Sequence, residues 1–328
     1  MSFTDIIGQK KPLALLRSAL VNDRLPHAYL FLGPDGVGKH TMALAMARAI
    51  HCDKSKGDFC GQCLNCSRIT GGNHPDVRVV EPSPGKKEIS IQQIRELERE
   101  LNYRSFTGNA KIAIVDPATL MNSSSQNALL KTLEEPPKDC LIVLIAAHAG
   151  GLLPTLRSRC VRITFAPLAR AEVAVFLQSR PGTNGADAQF AAALSMGSIG
   201  AALELNQYDL LEKRRAWSEM LISFQRLDYR GAMRAAETLA SNRDDALRFL
   251  KWTESWYRDL LVHMVLSDRA ELINLDMPAQ IEQQSADGNV ERTLRAMSQI
   301  ATAATGIQRN LNRRMVLEKL IFGLVEGR

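Results

Sequence analysis

The run Gly33-Pro34-Asp35-Gly36-Val37-Gly38-Lys39-His40-Thr41 has the residue types of a phosphate-binding loop, with one position changed. The pattern Gly-x-x-x-x-Gly-Lys-[Ser/Thr] is met at Gly33, Gly38 and Lys39 and broken at His40. Glycines, Gly36 included, let successive backbone N–H groups turn inward and cradle phosphate oxygens. Lys39 would reach the outer phosphates of ATP, and a helix starting there would aim its positive end at them. The hydroxyl expected at position 40 would bind Mg²⁺, and imidazole is a poor ligand for that oxygen-preferring cation. Thr41 carries a hydroxyl, but one residue along a helix turns it about 100° off that face. The loop suits nucleotide and is damaged where metal-assisted chemistry needs it intact.

Lys111-Ile112-Ala113-Ile114-Val115-Asp116 is an apolar run ending in an acid. In phosphate-loop ATPases such an Asp helps to hold Mg²⁺. Hydrolytic members with an Asp-Glu pair use the next carboxylate to orient the attacking water, and here that position is Pro117. Glu134 and Glu135 lie a helix away and read as capping or surface charges. His148 follows the apolar run Leu141–Ala147 and is a candidate water sensor or a plain loop histidine. The metal hydroxyl and the water-orienting acid are therefore both weakened, and the sensor with them if His148 does not serve.

Cys52, Cys60, Cys63 and Cys66 have the spacing C-x7-C-x2-C-x2-C. Two overlapping C-x-x-C pairs place thiolates on tight turns, which suits tetrahedral Zn²⁺ in a closed, structural site. An iron–sulfur cluster is the main competitor, and a redox pair ranks below it. Cys140 and Cys160 lie in or beside apolar runs and read as ordinary buried thiols.

These residues need a scaffold. Ala28–Leu32 is an apolar run that ends at the glycine loop, and Thr41–Ile50 repeats apolar residues at helical spacing. That is strand, loop and helix in the order a phosphate loop requires. Further strands are predicted at 77–80, 111–116, 140–146 and 161–165, with helical patterns between them. Ile91, Ile94, Leu97 and Leu101 share one helix face, with Ser90 as its cap. Ala128, Leu129 and Leu133 mark another, which Pro136-Pro137 ends. The alternation predicts a parallel α/β sheet to about residue 167. Short helices follow at 171–177, 186–196 and 199–205, with a loop at 181–185. From about residue 208 the pattern is helical throughout, with Trp217, Phe224, Leu247, Trp252, Trp256, Leu260 and Leu261 as expected core. The expected domains are 1–167, 168–207 and 208–328.

At 328 residues, 45% of them hydrophobic, the chain is long enough for two or three cores and is not of a disordered class. Aromatic content of 5% argues against stacking platforms for single-stranded nucleic acid. A net charge of +6 is compatible with a nucleic-acid partner without requiring one. The polar start Met1-Ser2-Phe3-Thr4-Asp5 and the shortness of the longest apolar run predict a cytoplasmic chain with no membrane partner, its cysteines reduced.

Leu156-Arg157-Ser158-Arg159-Cys160 precedes the strand at 161–165, and Asn127-Ala128-Leu129-Leu130-Lys131-Thr132-Leu133-Glu134-Glu135-Pro136-Pro137 precedes the one at 140–146. Together with the glycine loop and the cysteine cluster, these motifs resemble the clamp-loader subunits of bacterial DNA polymerase III, over about residues 1–207. The resemblance implies an α/β AAA+ phosphate-loop domain with an inserted zinc module at about 52–66. A small helical lid and an all-α collar that joins a five-subunit ring would follow. It implies gamma/tau motor and delta subunits as ring partners, with the sliding clamp and primed DNA met through the assembly. It implies that Arg159, flanked by Ser158 and Cys160, is an arginine finger for ATP on a neighbour. Motor subunits carry a nucleotide-sensing lid arginine in a Gly-Ser-x-Arg pattern. The matching segment here is Gly197-Ser198-Ile199-Gly200.

Within the family these departures resemble the delta-prime branch, which would lack an ATPase activity of its own. The alternative is an active gamma/tau-like motor, favoured by Gly36, Lys39 and Asp116. A zinc-dependent DNA-binding module is a third reading, weakened by the absence of a recognition helix rich in Arg, Asn and Gln. Gly33, Gly36, Gly38, Lys39, Thr41 and Asp116 then form either a site that binds ATP and Mg²⁺ without turnover or a tight turn that persists without ligand. His27 and His74 read as packing or loop residues.

Overall fold

The computed structural model describes residues 2–181, 183, 185–206, 210–224, 229–267, 272–286 and 288–326. They form two compact units. One runs to Phe176 and includes Gly197–Ala201, and the other comprises Leu177–Met196 and the chain from Ala202 onward. The boundary expected at 207/208 lies outside the described residues.

The first unit is built on five parallel strands: β1 (Ala28–Leu32), β2 (Val77–Val80), β3 (Lys111–Val115), β4 (Cys140–Ala146) and β5 (Val161–Thr164). Their order in the sheet is β2-β3-β4-β1-β5. Every residue of β3 and β4 is buried. Continuous apolar runs of that kind belong to strands covered on both faces. Leu30 pairs with Leu144, Val143 with Ile114, and Tyr29 with Val161. Asp116 and Phe165, expected as strand residues, lie one residue past β3 and β5. Each still donates its backbone N–H across the sheet, to Val80 and Leu32 respectively.

The α-helices of this part of the chain, among the described residues, are α1 (Lys10–Val21), α2 (Lys39–His51), α3 (Leu64–Thr70), α4 (Ile91–Asn102), α5 (Ser123–Glu134) and α6 (Pro154–Arg157). α2 buries Met42, Ala43, Ala45, Met46 and Ala47, so its small residues let it lie close to its neighbours. Ser90 caps α4 in a reciprocal box with Gln93, and Ile94, Leu97 and Leu101 are its buried face, as their spacing predicts. These residues join Leu129 and Leu133 of α5 and Ala113, Ile142 and Leu144 of the sheet in one core. Because the strands are parallel, the loops after β1, β3 and β4 open at the same edge. Ligands of open α/β sheets bind at the carboxyl ends of strands.

Helices α7 (Arg170–Gln178), α8 (Gly185–Leu194) and α9 (Ile199–Asn206) follow. Beyond them the described residues form the helices α10 (Leu210–Phe224), α11 (Tyr229–Ala240), α12 (Arg243–Leu266), α13 (Pro278–Ala286), α14 (Val290–Gln308) and α15 (Arg313–Glu326). The core of the second unit gathers Trp217, Phe249, Trp252 and Trp256 with Ile300, Ile307, Leu317 and Ile321. Leu260 is buried and Leu247 packs at the margin, whereas the side chain of Phe224 lies outside those described. Among the described residues no helix is long and apolar enough to cross a membrane.

Candidate functional site

The glycine loop joins β1 to α2. Gly33 has φ +152°, and a Cβ there would meet the Phe165 carbonyl oxygen at 2.3 Å, so only glycine lets the chain leave β1 beside the end of β5. Lys39 is the first residue of α2 and is 5% exposed. Its Nζ donates to the carbonyls of Gly33 at 2.5 Å and Pro34 at 2.7 Å, and lies 3.4 Å from Asp35 Oδ1. The lysine is therefore engaged with the loop itself, and a phosphate would have to compete with those oxygens.

The tip of the loop is covered by the segment that opens α9. Ser198 Oγ donates to the Asp35 carbonyl at 2.8 Å, and the Gly200 N–H donates to the Gly36 carbonyl at 3.0 Å. A Cβ on Gly36, whose φ is +73°, would meet Ser198 Oγ at 2.3 Å, and a Cβ on Gly200 would meet Gly36 Cα at 3.0 Å. With the backbones this close, a side chain at position 200 would crowd the loop tip and require the Gly36 backbone to shift.

His40 occupies the place of the missing hydroxyl. Its Nδ1 lies 2.8 Å from Asp116 Oδ2, so the two metal-ligand positions of a working site are hydrogen-bonded to each other. That hydrogen bond raises the His40 pKa above its ordinary value, with burial opposing it and the charges of Asp116 and Glu81 adding to it. Thr41 points to the exposed side of α2, and His148 is exposed after β4. Pro117, which follows Asp116, has no carboxylate to offer a water.

The sign of the His40 shift gives a pH prediction. Because the folded pKa is raised, the pair's contribution to stability is fully present below the unfolded value near 6.5. It fades as the pH rises through the higher folded value. In an NMR titration the His40 ring should have a midpoint above 6.5, and Asp116→Asn should lower that midpoint. A wild-type midpoint at or below 6.5 would show that the pair does not form.

The cysteine cluster hangs from the end of α2. Cys52 follows His51 as the helix cap, and Cys63 caps α3. The four Sγ atoms lie within 4.8 Å of one another and form no disulfide. Backbone N–H groups point at the sulfurs: Cys60 to Cys52 Sγ at 3.3 Å, Gln62 and Cys63 to Cys60 Sγ at 3.5 and 3.3 Å, and Cys66 to Cys63 Sγ at 3.5 Å. The Gln62 and Cys63 amides pull the Cys60 thiol down to about 6, while burial pushes Cys66 up to about 12. Sulfurs gathered this closely, with amides arranged around them, could hold a metal ion in a four-thiolate site. Cys140 and Cys160 lie elsewhere, and burial pushes both thiols up to about 11.

His51, His74 and Asp76 form a second buried group that the spacing of residues did not reveal. Asp76 accepts the N–H groups of Phe106 and Thr107 and the hydroxyls of Ser105 and Thr107. Burial opposes ionisation there, but these bonds bring its pKa down to about 2. His74 Nδ1 accepts the Asp76 N–H, so its proton sits on Nε2. The bonds to Asp76 anchor the segment 105–107 against the start of β2.

Ser158 and Arg159 follow the short helix α6 and lead into β5. Ser158 Oγ donates to the Thr155 carbonyl at 3.0 Å. Arg159 Nη1 donates to the same carbonyl at 2.8 Å, and its Nη2 lies 2.7 Å from Glu134 Oε1. Glu134, read from sequence as a capping or surface charge, is thus the ion-pair partner of the candidate finger. The Arg159 side chain remains one-third exposed.

A family model described as DNA polymerase III, delta subunit, matches residues 8–169, and one described as its C-terminal part matches residues 208–326. The chain is 28% identical over 341 residues to DNA polymerase III subunit delta' of Bacillus subtilis (strain 168), covering 97% of each chain. It is 33% identical over 258 residues to the delta' subunit of Escherichia coli (strain K12), covering 78% of this chain and 75% of that one. It is also 33% identical over 164 residues to DNA polymerase III subunit tau of Bacillus subtilis (strain 168), covering 50% of this chain and 29% of that one.

Proposed function

Since the chain belongs to the family of DNA polymerase III delta-prime subunits, we propose that it is a clamp-loader subunit that does not turn over ATP itself and serves a neighbour's ATP through Arg159. Its phosphate-loop domain, of AAA+ type, would be followed by a lid at about 168–207 and a collar at about 208–328. The collar would hold it in a cytoplasmic ring with gamma/tau motor and delta subunits, and that ring would load the sliding clamp onto primed DNA. Cys52, Cys60, Cys63 and Cys66 would hold structural Zn²⁺, which supplies cross-linking and no catalysis.

The observation that carries this reading is the His40–Asp116 contact at 2.8 Å. The two residues that would coordinate Mg²⁺ in a working motor satisfy each other instead. The engagement of Lys39 with loop carbonyls and the close approach of Gly200 to Gly36 support the same conclusion. Arg159 is a planar, permanently charged group suited to charge developing on a transferring phosphoryl group. The second reading, a gamma/tau-like motor, rests on the retained Lys39 and Asp116 and on the similarity to tau.

The two readings differ in turnover by the chain alone. The purified chain with Mg-ATP is expected to show no hydrolysis above that of its Lys39→Ala variant. Hydrolysis that Lys39→Ala removes would put the motor reading first.

A further inference from the structure

We propose that Glu134 is the positioning residue of Arg159, fixing the guanidinium so that its unspent N–H groups are presented to a neighbour's ATP. This rests on the reading of Arg159 as a finger. Glu134 is the last residue of α5, where a negative charge opposes the helix dipole. Arg159 offsets that charge through the 2.7 Å contact between Nη2 and Glu134 Oε1. The second anchor, the Thr155 carbonyl, comes from α6. Two helices of the first unit therefore hold one side chain at two of its nitrogens. The remaining donors of the guanidinium fork are left for phosphate oxygens.

Glu134 and Arg159 are half and one-third exposed, and ion pairs at such exposure add little to folding stability. Their effect should fall instead on geometry. An unanchored arginine samples many rotamers, and a misplacement of about 1 Å at a reacting centre can cost up to roughly 100-fold in rate. Glu135 is the built-in control. It carries the same charge one residue along, at the helix cap, while the contact to Arg159 is made by Glu134.

The test compares assembled loaders containing wild-type, Glu134→Ala, Glu134→Gln, Glu135→Ala or Arg159→Ala chains. ATP hydrolysis is followed at the site adjoining this subunit. Glu134→Ala should lower kcat there by roughly 10- to 100-fold with KM for ATP unchanged. Glu134→Gln, which keeps an acceptor oxygen, should restore much of the rate, and Glu135→Ala should match wild type. A wild-type or raised kcat in Glu134→Ala, beside a large loss in Arg159→Ala, would overturn the positioning role and leave the finger standing. Wild-type turnover in Arg159→Ala would remove the finger itself, and the positioning role with it.

Discussion

Arg159→Ala is expected to lower ATP hydrolysis at the adjoining subunit's site by about 10³-fold or more, the range found when arginine fingers are removed. The effect is large because a guanidinium near the transferring phosphoryl group stabilises charge that exists only in the transition state. It should appear in kcat and leave the binding of ATP by the neighbour almost unchanged. Folding should be nearly untouched. Arg159 is one-third exposed, and among the described residues its ion pair is to a half-exposed Glu134. Such a pair is worth about 0–1 kcal/mol. Other interfaces of the ring would keep their own fingers. The measurement therefore needs single-turnover conditions at the one site this chain adjoins, with thermal unfolding of the free variant as the folding control. A wild-type rate at that site would remove the finger assignment.

The second large effect concerns the cysteine cluster. The segment 52–66 has little apolar support of its own. α3 buries only Cys66 and Ile69, and Phe59 is held through Phe3 and the guanidinium of Arg48. Structural zinc contributes on the order of 10 kcal/mol to folding in small zinc-binding peptides. Cross-linking by metal should therefore decide whether this segment is ordered. Cys63→Ser is expected to release the metal and to raise hydrogen exchange sharply at the amides of Cys60, Gln62, Cys63 and Cys66. Cys140→Ser should leave metal content unchanged, because Cys140 lies in β4 away from the cluster. Metal content and amide exchange, measured on the same samples, check both halves. A wild-type protein purified without chelators that holds no zinc, yet protects those amides, would contradict the assignment.

Much of the scaffold was legible in the residues because its signals are local. β1 and β3 fall on apolar runs that end at Gly33 and Asp116, and Ser90 with Gln93 marked the start of α4. The cysteine spacing gave the cluster for the same reason, since turns of two residues fix where thiols meet. What was hidden depends on residues far apart in the chain. The loss of the hydroxyl at position 40 could be read, but not that His40 would turn to Asp116, 76 residues away. Gly200 could be read as a missing arginine, and the structure adds a steric reason, because a Cβ there would crowd the loop tip at Gly36. Glu134 had no sequence signal linking it to Arg159. Its role as a partner depends on how α5 and α6 pack, which no periodicity encodes. The His51–His74–Asp76 group was hidden for a similar reason, since the segment it anchors begins 29 residues beyond Asp76.

On the proposed function the chain acts on ATP that it does not itself turn over. One experiment addresses it directly: hydrolysis by the assembled loader containing either Lys39→Ala or Arg159→Ala in this subunit alone. Lys39→Ala should leave the rate near wild type if the loop it alters turns over nothing, as proposed, while Arg159→Ala should depress it. The reverse pattern, loss with Lys39→Ala and none with Arg159→Ala, would mean that the chain is a motor and that its finger assignment is wrong.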